Sequence, residues 1–332
     1  MKNLIKVTAG TLMVASVLAL NPIGASAEWE QDNKGWWYAE GDSWATGWRN
    51  ISEKWYYFDK NGYMVKDEDV DGWYLDDNGV GTECISIDGF DVLKSTGTIV
   101  KFSRNVPWGP GKTTGIQLDI PEKIGGIEIK GIGKKAFYGC QYLTSVTIPD
   151  SVTSIGVSAF ERCVSLKNII IPDSVISIGN DAFESCDSLT SATIPKNVKN
   201  IGQGAFYWCN NLTNITIPDG ITTVDNWVFS NCDSLMSVEI PNSVTNIKQS
   251  AFSECKSLTS VVIPNNVTSI GDTAFENCTN LTSVTIPDSV ESIGRDAFYG
   301  CDNAIFYTES EKTEQYLISK GVSASRIILN TK

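Results

Sequence analysis

The sequence predicts a repeat solenoid. Its leucine-rich coils are mainly short parallel β-strands with one-turn helices, preceded by a module of aromatic β-hairpins. Two observations carry this. Phe137, Phe160, Phe183, Phe206, Phe229, Phe252, Phe275 and Phe298 recur at i, i+23, i+46 and so on without an insertion, and so do Cys140, Cys163, Cys186, Cys209, Cys232, Cys255, Cys278 and Cys301. Residues 28–83 hold seven of the ten tryptophans, interleaved with Asn-Gly turn signals.

Each part of the repeat has a physical reading. Leu143, Val146 and Ile148 point inward from a short extended segment, and Thr147 points outward between two of them. Pro149 ends the strand because it offers no ladder donor. Val152 and Ile155 form a second brief strand, and Gly156 permits the corner after it. Ala159, Phe160 and Cys163 then share the inner face of one helical turn. One coil cannot bury enough apolar surface to offset the entropy of ordering itself, so neighbours must cover it. Open ends would expose the interior and unpaired strand edges. Caps are therefore expected over residues 84–120, where 91–102 alternate like a strand or hairpin and 107–111 read as a loop, and over 302–332. The latter reads as a strand at 304–307, a short helix at 311–319 and a terminal strand at 326–329.

The run 143–156, Leu-Thr-Ser-Val-Thr-Ile-Pro-Asp-Ser-Val-Thr-Ser-Ile-Gly, resembles the BspA-like (Treponema pallidum-type) leucine-rich repeats of bacterial surface proteins. The resemblance covers residues 121–301, and implies a secreted or surface-displayed adhesion or protein-binding role.

In the aromatic module, short runs of rings bounded by turns such as Asp59-Lys60-Asn61-Gly62 and Asp76-Asp77-Asn78-Gly79 read as successive hairpins. Residues 47–64 join Gly-Trp, Trp-Tyr-Tyr-Phe and Asn-Gly-Tyr-Met. That combination resembles the cell-wall-binding (choline-binding) repeat of Gram-positive surface proteins, and the resemblance covers residues 28–83. It implies that aromatics of adjacent hairpins box a choline headgroup of teichoic acid, or that the repeats bind wall carbohydrate. Ring faces attract a quaternary ammonium and also stack on sugars. Matching positions put Trp29 and Trp37 in one site with Tyr57, and Trp48 and Trp55 in a second closed by Trp73 or Tyr74. The third repeat departs from the pattern, with Lys66 at a tryptophan position and Leu75 at a tyrosine position. The alternative is that the rings only hold the hairpins together.

The first 27 residues read as an export signal: Lys2 and Lys6, an apolar run from 12 to 20, and the small residues Ala25-Ser26-Ala27. The apolar run is too short for a stable span. The mature chain is then expected to begin near Glu28, with no membrane span, and to be secreted and associated with the wall or cell surface.

The 332 residues carry a formal charge of −13, and no basic run overrides it. Such a field repels nucleic acid. There is no histidine, which removes imidazole-based nucleophilic systems and His-ligated zinc helices. Carboxylate-only glycoside hydrolysis survives that filter. The repeats scatter their acids over solvent-facing positions, however, and leave no room for a catalytic domain. The expectation is a protein with no catalytic residue, cofactor or metal site. The repeated cysteines face inward as buried free thiols, because stacked parallel side chains fit disulfide geometry poorly. Cys84 stays unassigned.

On the solenoid, Tyr207 and Trp208 replace the polar residues found elsewhere between phenylalanine and cysteine. In the next coil Trp227 lies beside Gly204, and Asp225 takes the corner-glycine position. These aromatics form a contact site, or else Trp227 only fills space. Ile170, Glu239 and Val262 interrupt an outward row of Thr and Ser and are further candidates for partner contacts. The functional expectation is a non-enzymatic binding protein, held on wall choline or polysaccharide by residues 28–83 and presenting its solenoid to a protein or glycan. The alternatives are an accessory wall or carbohydrate-binding protein and a carboxylate-dependent wall hydrolase.

Overall fold

A computed structural model describes residues 27–103 and 115–330. The export signal expected over residues 1–27 lies outside these apart from Ala27, as does the loop signal at 107–111. The chain forms two compact units: residues to Ser86 with Leu93–Ser95, and Ile87–Val92 with everything from Thr96 onward.

The first unit is a series of hairpins. Strands β1 (Ala27–Gln31) and β2 (Trp36–Glu40) pair antiparallel, and β2 also pairs with the short β3 (Ser43–Trp44). Then β4 (Gly47–Ile51) pairs with β5 (Lys54–Phe58), and β6 (Glu68–Val70) with β7 (Trp73–Leu75), which meets β8 (Gly81–Ile87). The turns are set by aspartates. Asp59 Oδ1 accepts from the N–H of Asn61 and Tyr63, and Asp76 Oδ1 accepts likewise from Asn78 and Val80. Arg49 pairs bidentately with Glu40 at 2.7 and 3.2 Å, tying the first two hairpins together.

The second unit is the solenoid. Its first ladder of parallel strands runs through Ile116–Asp119, Leu143–Thr147, Asn168–Ile170, Ser191–Thr193, Asn214–Thr216 and Ser237–Glu239. It resumes through Ser260–Val262, Ser283–Thr285, Ile305–Thr308 and Ile327–Leu329. The register is the sequence period: Val146 faces Ile169, and Ile215 faces Val238. A second ladder of two-residue strands precedes each corner, from Gly131–Ile132 to Asn200–Ile201 and again from Thr223–Val224 to Ser292–Ile293. Inside, the eight phenylalanines stack with centroids 4.8–5.7 Å apart and planes within 19° of parallel. The thiols form the adjacent column. Cys186 Sγ donates to the Phe160 carbonyl at 3.2 Å and Cys209 Sγ to that of Phe183, and the pattern continues to Cys301. Burial pushes the Cys186, Cys209, Cys232 and Cys255 thiols well above their usual range.

The expected one-turn helix is not a helix. Ala159, Phe160 and Cys163 do face inward, but the backbone takes left-handed φ at two positions per coil, as at Ser158 (55°) and Arg162 (60°). Those residues break helical continuation and leave linked turns, with Glu161 N–H bonded to Ser158 O and Cys163 N–H to Phe160 O. The N–H groups freed by this twist bond to the next coil instead, Phe160 to Ala182 O and Arg162 to Glu184 O. The corner is thus a third hydrogen-bonded ladder.

Both ends of the solenoid are covered. β9 (Phe90–Leu93) and β10 (Thr98–Phe102) form a hairpin whose β10 continues the second ladder at Gly131–Ile132, and Phe102 sits 5.2 Å from Phe137 at the head of the ring column. Between Pro121 and Ala136 the first repeat carries extra residues, which form a small hairpin, Lys123–Ile124 with Ile127–Glu128. At the other end Phe306 meets Phe298 edge-on. The helix Glu311–Ser319 is capped by Ser310, buries Leu317, and brings the Tyr316 hydroxyl to accept the edge N–H of Ile293 at 2.8 Å. No described helix is long and apolar enough to cross a membrane.

The ladders are interrupted twice. At most corners the glycine lies where a Cβ would strike the preceding coil. One on Gly156 would fall 2.8 Å from Gly133 C, and one on Gly179 would fall 2.6 Å from Gly156 C. Two coils carry Asp225 and Lys248 there instead, with Lys248 Nζ 3.2 Å from Asp225 Oδ1. The second ladder stops beside Asp225, between Asn200–Ile201 and Thr223–Val224, and continues unbroken past Lys248. Two coils later the first ladder stops on the other side, between Ser237–Glu239 and Ser260–Val262. The pair of coils with side chains at the corner is thus bounded by a break in the second ladder on one side and in the first ladder on the other, while the corner ladder runs through both.

Candidate functional site

In the hairpin unit the strand alternation decides which rings meet. Trp48 lies opposite Tyr57 and Asn50 opposite Trp55, so Trp48, Trp55 and Tyr57 share one face of the β4–β5 hairpin. Their centroids place Trp48 at 5.3 Å from Tyr57 and 5.6 Å from Trp73, and Trp55 at 6.3 Å from Trp73. Trp48 Nε1 donates to Asp71 Oδ2 at 3.3 Å, and the Trp48 ring covers Gly81, where a Cβ would come within 3.0 Å of it. Four rings from two hairpins therefore converge, with a carboxylate holding one indole. Trp55 is 42 % exposed, which leaves the cluster open to solvent. Such an arrangement presents negative ring faces to a cation and flat apolar faces to a sugar.

The expected grouping is corrected in three places. Trp29 lies opposite Tyr38, which puts Trp37 on the other side of its hairpin, 6.2 Å from Tyr63. The rings that share the Trp29 face are Tyr38, at 5.3 Å, and Trp36, at 6.4 Å. The signal was present, since Trp29 and Trp36 are seven apart, as are Trp48 and Trp55. Tyr57 belongs with Trp48, and the rings that reach Trp29 from the next hairpin are Tyr56 at 4.9 Å and Phe58 at 5.7 Å, filling the space beside it. Tyr74, opposite Asp69, faces away from Trp73, its neighbour in the strand. Its hydroxyl is pushed up to about 12 by burial, then by Asp67, Asp69, Asp76 and Asp77. Trp73 is therefore the ring that closes the second cluster. Asp71 carries no sequence signal of its own, because its role depends on how two hairpins stack.

On the solenoid, Tyr207 and Trp208 lie with centroids 5.8 Å apart, and Trp208 is 47 % exposed. Trp208 and Trp227 both take left-handed φ, 60° and 55°, an unusual cost for so large a residue. Trp227 is half-buried in the coil next to Gly204, whose N–H bonds to Asn226 O. Upstream of this cluster, burial raises Asp181 and Glu184 above the usual carboxylate range; the Glu161 charge adds to both. Ile170 and Val262 are exposed on the outward row at 62 % and 65 %. Glu239 and Val262 line one shallow groove of about 430 Å³ at the interruption of the first ladder, whereas Ile170 lies three coils from Glu239. Among the described residues no cluster of three or more acids or cysteines is placed to hold a metal ion.

A family model described as the BspA type leucine rich repeat region matches residues 130–259 and 177–305, with 6 copies. The chain belongs to the BspA-type leucine-rich-repeat family. A choline-binding repeat model matches residues 45–79, the stretch containing Trp48, Trp55 and Trp73. Among solved structures, a leucine-rich cell surface protein of Faecalibacterium prausnitzii is 30 % identical, over 74 % of this chain and 77 % of that one, with a TM-score of 0.47. The T. pallidum leucine-rich-repeat protein is 25 % identical over 76 % and 97 %, at 0.45, and the pneumococcal vaccine antigen PcpA 18 % over 75 % and 99 %, at 0.39. A comparison with curated proteins gave no match. Within the BspA-type repeats of this chain, the Asp225 and Lys248 corners and the Trp208 and Trp227 turns all fall in coils between residues 202 and 253.

Proposed function

We propose that this is a non-enzymatic, exported bacterial protein, held on the cell wall by its hairpin unit and presenting its BspA-type solenoid to a partner. Membership of a leucine-rich-repeat surface-protein family supports the general role of binding or adhesion at a bacterial surface. The two kinds of repeat found here occur in families that are typically extracellular or wall-associated.

The observation that carries wall retention is the cluster of Trp48, Trp55, Tyr57 and Trp73. It spans two successive hairpins, and so resembles a box for the quaternary ammonium of teichoic-acid choline. One such site gives weak binding, because avidity grows with the number of sites. Carbohydrate is the second reading, supported by Trp44 and Trp36, which lie outside the Trp48 cluster and expose 51 % and 37 % of their surface.

The test is a pull-down of the mature chain, residues 28–332, with intact choline-bearing cell walls. Free choline should release the bound protein, and Trp73→Ala should abolish retention while the solenoid remains folded by circular dichroism. Retention that resists choline but yields to wall polysaccharide selects the second reading. Retention unchanged in Trp73→Ala and in Trp48→Ala removes the cluster from the account.

A further inference from the structure

We infer that the groove where the first strand ladder is interrupted docks an extended peptide through a lysine or arginine side chain flanked by aliphatic residues. This rests on reading the solenoid as the partner-presenting half, and is independent of wall retention.

Three observations converge there. First, the interior opens at this point. The middle residue of each flanking strand is buried, as at Ala192, Ile215, Val261 and Val284, whereas Val238 is half-buried and lines the groove. Ser237–Glu239 and Ser260–Val262 form no ladder with each other, although their coils stay joined just before them by Thr259 N–H on the Met236 carbonyl at 3.2 Å.

Second, the lining combines apolar surface with charge of one sign. Val238, Ile240 and Val262 supply an aliphatic surface, and Asp219 and Glu239 supply carboxylates. No lysine or arginine lines the groove, and among the described residues neither carboxylate makes an ion pair. A side chain with an apolar stem and a cationic head matches both features, since the stem covers the aliphatic surface while the head meets the acids. The chain as a whole carries −13, which favours the approach of a basic segment.

Third, the groove adjoins a departure from the repeat. Asp225 and Lys248 replace the corner glycine in two successive coils, and the groove lies at the downstream boundary of that pair. In a repeat whose other coils are nearly interchangeable, such departures from the local rule concentrate where function is carried.

The experiment is fluorescence anisotropy with the mature chain and two labelled pentapeptides, Thr-Val-Lys-Val-Thr and its counterpart with glutamate in place of lysine. The lysine peptide should bind and the glutamate peptide should not, and binding should weaken as salt rises. D219N/E239Q should weaken binding about tenfold, as loss of both charge partners predicts. S260W, an exposed groove position, should block binding while the melting temperature stays unchanged. Equal binding of the two peptides, or unchanged binding in D219N/E239Q or in S260W, overturns the inference. So does a groove occupied by a second copy, which would appear as concentration-dependent mass in light scattering with no peptide binding. Failure of the peptide leaves choline release from walls untouched, and failure of choline release leaves the peptide result standing.

Discussion

At the scale of single residues, the corner position decides how closely two coils approach. Gly179 has no alternative, because any Cβ meets the backbone of Gly156 and Val157 at 2.6 Å. Gly179→Ala is expected to cost about 2 kcal/mol or more, since the obstruction is main chain and must itself shift. Chemical denaturation measures it, and a loss below half that value would mean the coils separate easily. Thr273 shows strain of a different kind. It is β-branched and held at φ 52°, at the position where an earlier coil has Gly204. Thr273→Asn should gain about 1 kcal/mol, because asparagine tolerates the left-handed region. An unchanged or lower melting temperature would show that the Thr273 hydroxyl, 2.7 Å from that of Ser250, contributes more than the strain costs.

At the scale of elements, the ring and thiol columns hold the coils together. Phe206 lies 5.2 Å from Phe183 and 5.7 Å from Phe229, fully buried. Phe206→Ala should cost about 3–5 kcal/mol. The thiols give the solenoid a pH dependence whose sign is fixed. Burial raises Cys186, Cys209, Cys232 and Cys255, so above the ordinary thiol range the unfolded chain releases protons that the folded chain keeps. Their contribution to stability is fully present below the unfolded value and is lost as pH rises past it, at about 1.4 kcal/mol per pH unit for each thiol. A melting temperature that falls steeply above about pH 9, with a shallower slope in Cys209→Ala, is the expected outcome. A flat profile would mean the thiols are not protonated in the folded chain. The same elements show where the sequence misled. Ala159, Phe160 and Cys163 do face inward, yet spacing alone could not distinguish one helical turn from linked turns with left-handed residues, because both place residues three apart on one side.

At the scale of the whole molecule, a register that pairs each position with its equivalent in the next repeat means that one coil can be removed as a unit. Deleting 167–189 joins equivalent positions, and the chain should still unfold cooperatively at a lower temperature. Deleting 167–190, longer by a single position, should instead leave the junction coil one residue short and lower the melting temperature further, while later coils keep their register, as those after the short coil ending at Phe306 do. Circular dichroism on both chains decides it, and equal melts would remove the shared interior as the source of stability.

The sequence by itself determined the period, the inward set of Leu, Val, Ile, Phe and Cys, and the ring content of the hairpins. Periodic burial is a property of the chain read one coil at a time, so composition at fixed spacing is enough to reveal it. Only the tertiary structure decided that Trp36 and not Trp37 shares a face with Trp29, that Trp73 and not Tyr74 closes the cluster around Trp48, and that Asp71 holds that cluster's indole. It also decided that Asp219 and Val238, unremarkable in sequence, line one groove with Glu239 and Val262. These facts depend on strand register and on how far one coil is displaced from the next. Both are set by contacts between segments and not by the order of residues within any one of them.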